Sequence, residues 1–208
     1  MIIPFEPLWE QYKRIIKDNG AIVLTASQPF TSALVMSNPE MFKYEWIWDK
    51  KQGCNFNQAP VMPLKTQENI LVFSKATIAY NSKLKMNYFP QGVIEVKDKL
   101  CKARSVESPH LPNRKPHKEF YQKGTGYPID ILVFPKTSKN IHPTQKPVAL
   151  FEYLINTYTN EGDTVLDNCA GSGTTAIAAI NINRNYILIE KDEKYFQLAS
   201  ERIRSKLI

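Results

Sequence analysis

Asp167, Gly171, Gly173 and Glu190 are the residues with the plainest chemical purpose. The first three stand in the run Val165-Leu166-Asp167-Asn168-Cys169-Ala170-Gly171-Ser172-Gly173-Thr174-Thr175, an apolar stretch that ends in an acid and passes into glycines. That pattern predicts a buried strand turning directly into a helix start. Glycine lets backbone approach a ligand closely and take conformations closed to other residues. The first turn of a helix adds N–H groups that have no intrahelical partner. Glu190 follows Gly173 by seventeen residues and ends the next apolar run, where a carboxylate can accept both hydroxyl hydrogens of a ribose. Two cofactors fit. A dinucleotide uses G-x-G-x-x-G/A, which Gly171, Gly173 and Ala176 satisfy. S-adenosylmethionine would use the same turn without a pyrophosphate. A glycine turn that merely packs a helix on a strand is the third reading, and the two acids together argue against it.

His142-Pro143-Thr144-Gln145-Lys146-Pro147 favours one of the two cofactors. Its prolines fix the backbone, while Thr144, Gln145 and Lys146 offer donors and an ammonium. These suit a carboxylate. Methionine carries one and a nicotinamide dinucleotide does not. Taken alone, the same six residues could be a polar loop ending at a helix start.

The two motifs in this order, HPTQKP and then, twenty residues on, an acid-x-x-x-GSGTT turn and a strand ending in glutamate, resemble the C-terminal third of the β-type amino-methyltransferases. Those are DNA enzymes that methylate adenine N6 or cytosine N4. The resemblance implies an α/β fold, a Rossmann-like S-adenosylmethionine-dependent methyltransferase sheet. It also implies that His142, Thr144, Gln145, Lys146, Asp167, Asn168, Ala170, Gly171, Ser172, Gly173, Thr174 and Glu190 surround S-adenosylmethionine. Asn168-Cys169 departs from the commoner Pro-Phe and is similar to prophage-type members. Gly20–Phe30 resembles the strand beside the target-base pocket, and Tyr44–Lys75 the family's pair of edge strands. On this basis residues 1–75 form the target-base side of the methyltransferase domain, 76–140 the target-recognition region and 141–208 the cofactor-binding part. The implied partner is double-stranded DNA, with adenine N6 ahead of cytosine N4 as acceptor, in a restriction-modification setting.

The family's catalytic tetrapeptide is Asp, Asn or Ser followed by two prolines and an aromatic, which holds and stacks on a flipped base. It does not occur in this sequence, so the catalytic residues stay unassigned. Ser27-Gln28-Pro29-Phe30 is the nearest match, but it follows a later strand. The segment that bears the tetrapeptide in the family also supplies a central strand, between the glycine strand and the strand at 21–26. The sheet is therefore expected to be incomplete, and a separate chain supplying that segment is a candidate partner. A remnant that binds DNA and cofactor without transferring methyl groups is the alternative function.

The elements that must position these residues are legible from periodicity. Residues 4–19 predict a helix, 21–26 a buried strand and 31–42 a further helix. Tyr44–Asp49 and Asn69–Ser74 predict two strands rich in aromatic and β-branched residues. Residues 76–140 show little periodicity, with short strands such as Ile129–Phe134. From Pro147 the pattern becomes helix, strand, helix, strand, helix, the last over Glu193–Leu207. Trp46 and Trp48 suit core packing better than stacking on a displaced base. Asn55, Phe56 and Asn57 are placed as neighbours of the target base, with a plain turn as the alternative. Arg104, Arg114, Lys115, Lys118 and Lys123 are candidates for phosphate contact.

The chain has 208 residues and a formal charge of +7, and the charge is concentrated. Between Lys43 and Lys146 there are 18 Lys and Arg against 8 Asp and Glu, while the remainder carries 9 against 12. So localised an excess fits a phosphate backbone better than a scatter of solvated lysines. Cys54, Cys101 and Cys169 are far apart and form no metal-ligand spacing, so neither a disulfide framework nor a metal site is expected. No apolar run reaches the roughly 18 residues of a membrane span. No membrane association and a cytoplasmic location are expected.

Overall fold

The computed structural model describes residues 3–102, 119–137 and 140–207, with the side chain of Asp98 also outside the description. The chain divides into two compact units, Met1–Phe89 with Asp130–Ile208, and Pro90–Ile129. The second unit falls inside the segment set apart as aperiodic.

The larger unit begins with helix α1, Phe5–Ile15, and strand β1, Ile22–Ala26. Pro4 caps α1 with extended backbone, and the helix stops at Ile16 instead of reaching Asn19-Gly20. Helix α2 spans Phe30–Ser37. Strands β2, Phe42–Cys54, and β3, Lys65–Phe73, are longer than the periodicity predicts. Strand β4, Ile94–Cys101, pairs antiparallel with β5, Phe120–Thr125, in the smaller unit. Strand β6, Ile131–Val133, belongs to the larger unit and pairs parallel with β2. Helix α3, Val148–Tyr158, leads to strand β7, Thr164–Asp167, helix α4, Thr174–Asn181, strand β8, Asn185–Leu188, and the closing helix α5, Glu193–Leu207.

The strands of the larger unit form two ladders. One has the order β1-β3-β2-β6, with β1 and β2 both antiparallel to β3. The other is the parallel pair β7-β8. This is the incomplete α/β sheet expected from sequence: among the described residues, β1 and β7 each have one edge without a strand partner. Leu166 and Ile187 lie opposite each other on one face of the β7-β8 pair and are 38% and 54% exposed, so that face lacks a covering layer.

Helices join the two ladders. Leu150, Leu154 and Tyr158 of α3 pack with Trp46, Trp48, Ile70 and Val72 of the four-stranded sheet. Ile155 and Phe151 of the same helix meet Ala178 and Ala179 of α4 with Val165 and Tyr186 of the parallel pair. On the opposite side of the four-stranded sheet, Trp9 of α1 packs with Ile22, Leu71 and Phe73. The connection after α1 also reaches the turn before β7, because Lys17 forms an ion pair with Asp163 at 2.7 Å. Trp46 and Trp48 are 4% and 1% exposed, so both are core residues and neither is available to stack on a base.

Candidate functional site

The carboxyl end of β7 and the turn that follows form a hydrogen-bonded cradle. Asp167 Oδ1 accepts from the Cys169 N–H at 3.0 Å, and its Oδ2 accepts from the Thr175 hydroxyl at 2.5 Å. One acid thus ties the strand end to the first turn of α4. Gly171 and Gly173 both have left-handed backbone, φ 50° and 70°. A Cβ on Gly173 would stand 3.2 Å from the Ala199 Cβ of α5, so here conformation and space both call for glycine. α4 begins at Thr174, later than the glycines themselves, which form the turn instead of the helix.

Glu190 lies just beyond β8, and Ala170 N–H donates to the carbonyl of Ile189 at 3.1 Å. One Glu190 oxygen accepts from Gly171 N–H at 2.6 Å and the other from Asp192 N–H at 2.9 Å. The carboxylate is fixed against the turn, and each oxygen keeps a second lone pair for a ligand hydroxyl. Burial, reinforced by Asp167 and Glu190, pushes the neighbouring Cys169 thiol up.

The HPTQKP loop sits against this turn. A Cβ on Gly171 would meet the His142 ring at 3.3 Å, and that ring packs edge-on to Tyr195 of α5 at 4.2 Å. His142 Nδ1 accepts from Thr144 N–H at 3.2 Å, and Gln145 Oε1 accepts from Ile141 N–H at 3.1 Å. The Thr174 hydroxyl donates to the Lys146 carbonyl at 3.4 Å and lies 3.0 Å from the Ser172 hydroxyl. Lys146 itself is committed. Its Nζ donates to the Thr144 carbonyl at 3.1 Å and pairs with Glu68 at 3.2 Å.

The twelve residues expected around the cofactor lie on three segments, 142–146, 167–174 and Glu190 beyond β8, and contacts at Gly171 and Thr174 link them. Three contributors escaped the sequence. Tyr12 of α1 donates its hydroxyl to Asn168 Oδ1 at 3.0 Å. Burial outweighs that hydrogen bond and pushes Tyr12 up to about 12, so it remains a neutral donor. Arg202 of α5 donates to the Ser172 carbonyl at 2.9 Å and to the Thr174 hydroxyl at 3.2 Å. Glu68 holds Lys146. A hydroxyl on an amphipathic helix and an arginine on a closing helix carry no sequence signal for these roles.

The donor set fits a ligand with a ribose and a carboxylate: a fixed acid just beyond the second strand, a left-handed glycine turn that the acid clamps, and a polar loop beside it. Asn55, with left-handed backbone, and the 64% exposed Phe56 sit on the connection between β2 and β3. Lys123 is exposed on β5. Arg104, Arg114, Lys115 and Lys118 lie outside the described residues. No group of three or more His, Cys, Asp or Glu able to hold a metal occurs among the described residues, and none of their helices is long and apolar enough to cross a membrane.

A family model described as DNA methylase matches residues 3–201. The chain is 28% identical over 209 residues to the Type II methyltransferase M.HpaI of Haemophilus parainfluenzae, an alignment covering 98% of this chain and 60% of that relative's length. The crystal structure of the M1.HpyAVI–SAM complex is similar with a TM-score of 0.61 and 26% identity, covering 97% of this chain and 85% of that one. The PvuII cytosine-N4-specific DNA methyltransferase gives a TM-score of 0.64 at 14% identity over 97% of this chain and 74% of that one, a likeness of fold alone.

Proposed function

This chain belongs to the DNA methylase family whose model matches it over residues 3–201, and on that premise we propose that it binds S-adenosylmethionine and serves methyl transfer to an exocyclic amino group in DNA. The observation that carries the reading is the joining of the two motifs. Glu190 clamps Gly171, His142 packs on Gly171, and Thr174 reaches the Lys146 carbonyl, so one site is built from both segments. A dinucleotide gives the HPTQKP loop no task, whereas S-adenosylmethionine has a carboxylate for it. In the relative M1.HpyAVI the named ligand is SAM, which supports the same choice here.

In this reading Glu190 accepts the two ribose hydroxyls, the amides of the glycine turn and the side chains of Thr144 and Gln145 face the amino-acid end, and Asp167 keeps the turn in shape. The bound cofactor supplies an electrophilic methyl on a sulfonium. That methyl would pass to the amino nitrogen of the base, and Glu190, Thr144, Gln145 and the glycine turn would hold the cofactor in place for the transfer. The chain's own contribution is positioning and electrostatics, with no covalent enzyme intermediate.

A polypeptide segment bearing the tetrapeptide and a strand completes the active enzyme, and the edges of β1 and β7 that have no strand partner among the described residues suit such a strand. The same open edges favour a second reading, in which the chain binds cofactor and DNA without transferring methyl groups. A transfer assay separates them. The chain is incubated with methyl-labelled cofactor and duplex DNA, alone and together with a tetrapeptide-bearing segment from a relative, and the DNA is digested to nucleosides. Label in N6-methyladenine or N4-methylcytosine only in the complemented sample supports the enzyme and names the acceptor. No label in either sample, with cofactor bound in both, favours the non-catalytic reading.

A further inference from the structure

A cluster of two lysines and one glutamate stands beside the cofactor loop. Trp48 and Lys50 share the inward face of β2, and Trp48 is paired with Glu68 across the β2–β3 ladder. The Lys50 side chain is 6% exposed, and its Nζ lies 2.7 Å from one Glu68 oxygen. The Lys146 side chain, 15% exposed, places its Nζ 3.2 Å from the other. Both ammoniums lie over the indole of Trp48, at 5.3 and 5.9 Å. One carboxylate therefore serves two half-enclosed or buried cations, one oxygen to each.

We propose that Glu68 is a positioning residue for the cofactor loop: it anchors Lys146 and thereby fixes the loop backbone at Thr144 and Gln145 beside the glycine turn. The proposal rests on the cofactor reading above. Two ammoniums so close together repel strongly where water is largely excluded, and the carboxylate between them offsets that repulsion. Without it, the cation able to retreat is Lys146, because Lys50 is held in a paired strand whereas Lys146 sits on a loop. Its retreat would carry the Thr144 carbonyl, which its own Nζ binds, and the Lys146 carbonyl, which Thr174 binds. The geometry also changes the role of Lys146. With its charge already paired, it acts through the loop backbone more than as a free cation for a ligand. Burial alone would raise the Glu68 carboxyl, but the Lys50 hydrogen bond and the Lys146 charge outweigh it and hold the group below its ordinary value, ionised at neutral pH.

The test compares Lys50→Met with Lys50→Met/Glu68→Gln, so that Lys50 is never left buried without its anion and Lys146 alone loses its partner. Amide hydrogen exchange at Thr144 and Gln145 is read first, and S-adenosylmethionine affinity by calorimetry second. The expected result is exchange and dissociation constants each raised about tenfold by adding Glu68→Gln. In a Lys50→Met/Lys146→Met background the same addition should change neither. Unchanged exchange at the two amides in the first comparison would overturn the proposal. So would an equal loss of affinity when Lys146 is already absent. If the intact chain takes up no cofactor, the cofactor reading fails, and the exchange measurement still decides the role of Glu68.

Discussion

Asp167 and Glu190 illustrate how a carboxylate can shape a site before any ligand arrives. Each has both oxygens engaged by the turn it borders. Their spacing around the glycines was readable in the sequence because strand ends and glycine turns are local features. Glu68 was not, since its role depends on a register that pairs it with Trp48 across a ladder, and one strand's sequence does not fix its neighbour's register. Two predictions belong at this scale. Gly173→Ala forces a Cβ into left-handed backbone and against Ala199, so urea denaturation should show a loss of at least about 1 kcal/mol. Glu68 has a folded-state value below its ordinary 4.5, so its contribution to stability is fully present above that value and is lost as pH falls through the folded one. The melting temperature of the parent chain should therefore fall more steeply below about pH 4.5 than that of Lys50→Met/Glu68→Gln.

Helix α3 is the element on which the larger unit depends. It packs one face on the four-stranded sheet and another on α4 and the parallel pair, so the two ladders share it. Leu150, in its first turn, is fully buried. Leu150→Ala should cost about 2–5 kcal/mol by chemical denaturation, and a much smaller loss would mean that the ladders do not depend on α3. The periodicity of α3, α5 and β1 was legible because each buries a regular stripe. The ends were less so. α1 stops at Ile16, where the backbone is extended, and α4 starts only after both glycines have turned the chain. The parallel partnership of β6 with β2 was not legible, because Ile131–Val133 is a three-residue strand separated from its partner by a long excursion.

At the scale of the whole molecule, an α/β sheet is present in two parts, and among the described residues β1 and β7 each keep an edge without a strand partner. The matched segment spans 60% of the length of M.HpaI, so the activity of a whole enzyme draws on more than the elements described. The basic stretch between Lys43 and Lys146 predicts that duplex DNA binds mainly through phosphates. Its affinity should fall at least about tenfold between roughly 50 and 200 mM salt, and salt-independent binding would contradict that assignment. The central claim, that the two motifs together hold S-adenosylmethionine, is tested most directly by calorimetric titration of the cofactor into the chain, with Asp167→Ala and Glu190→Ala alongside. The account predicts one site per chain in the parent and loss of binding in both variants while they remain folded. Binding that survives in both folded variants would contradict it.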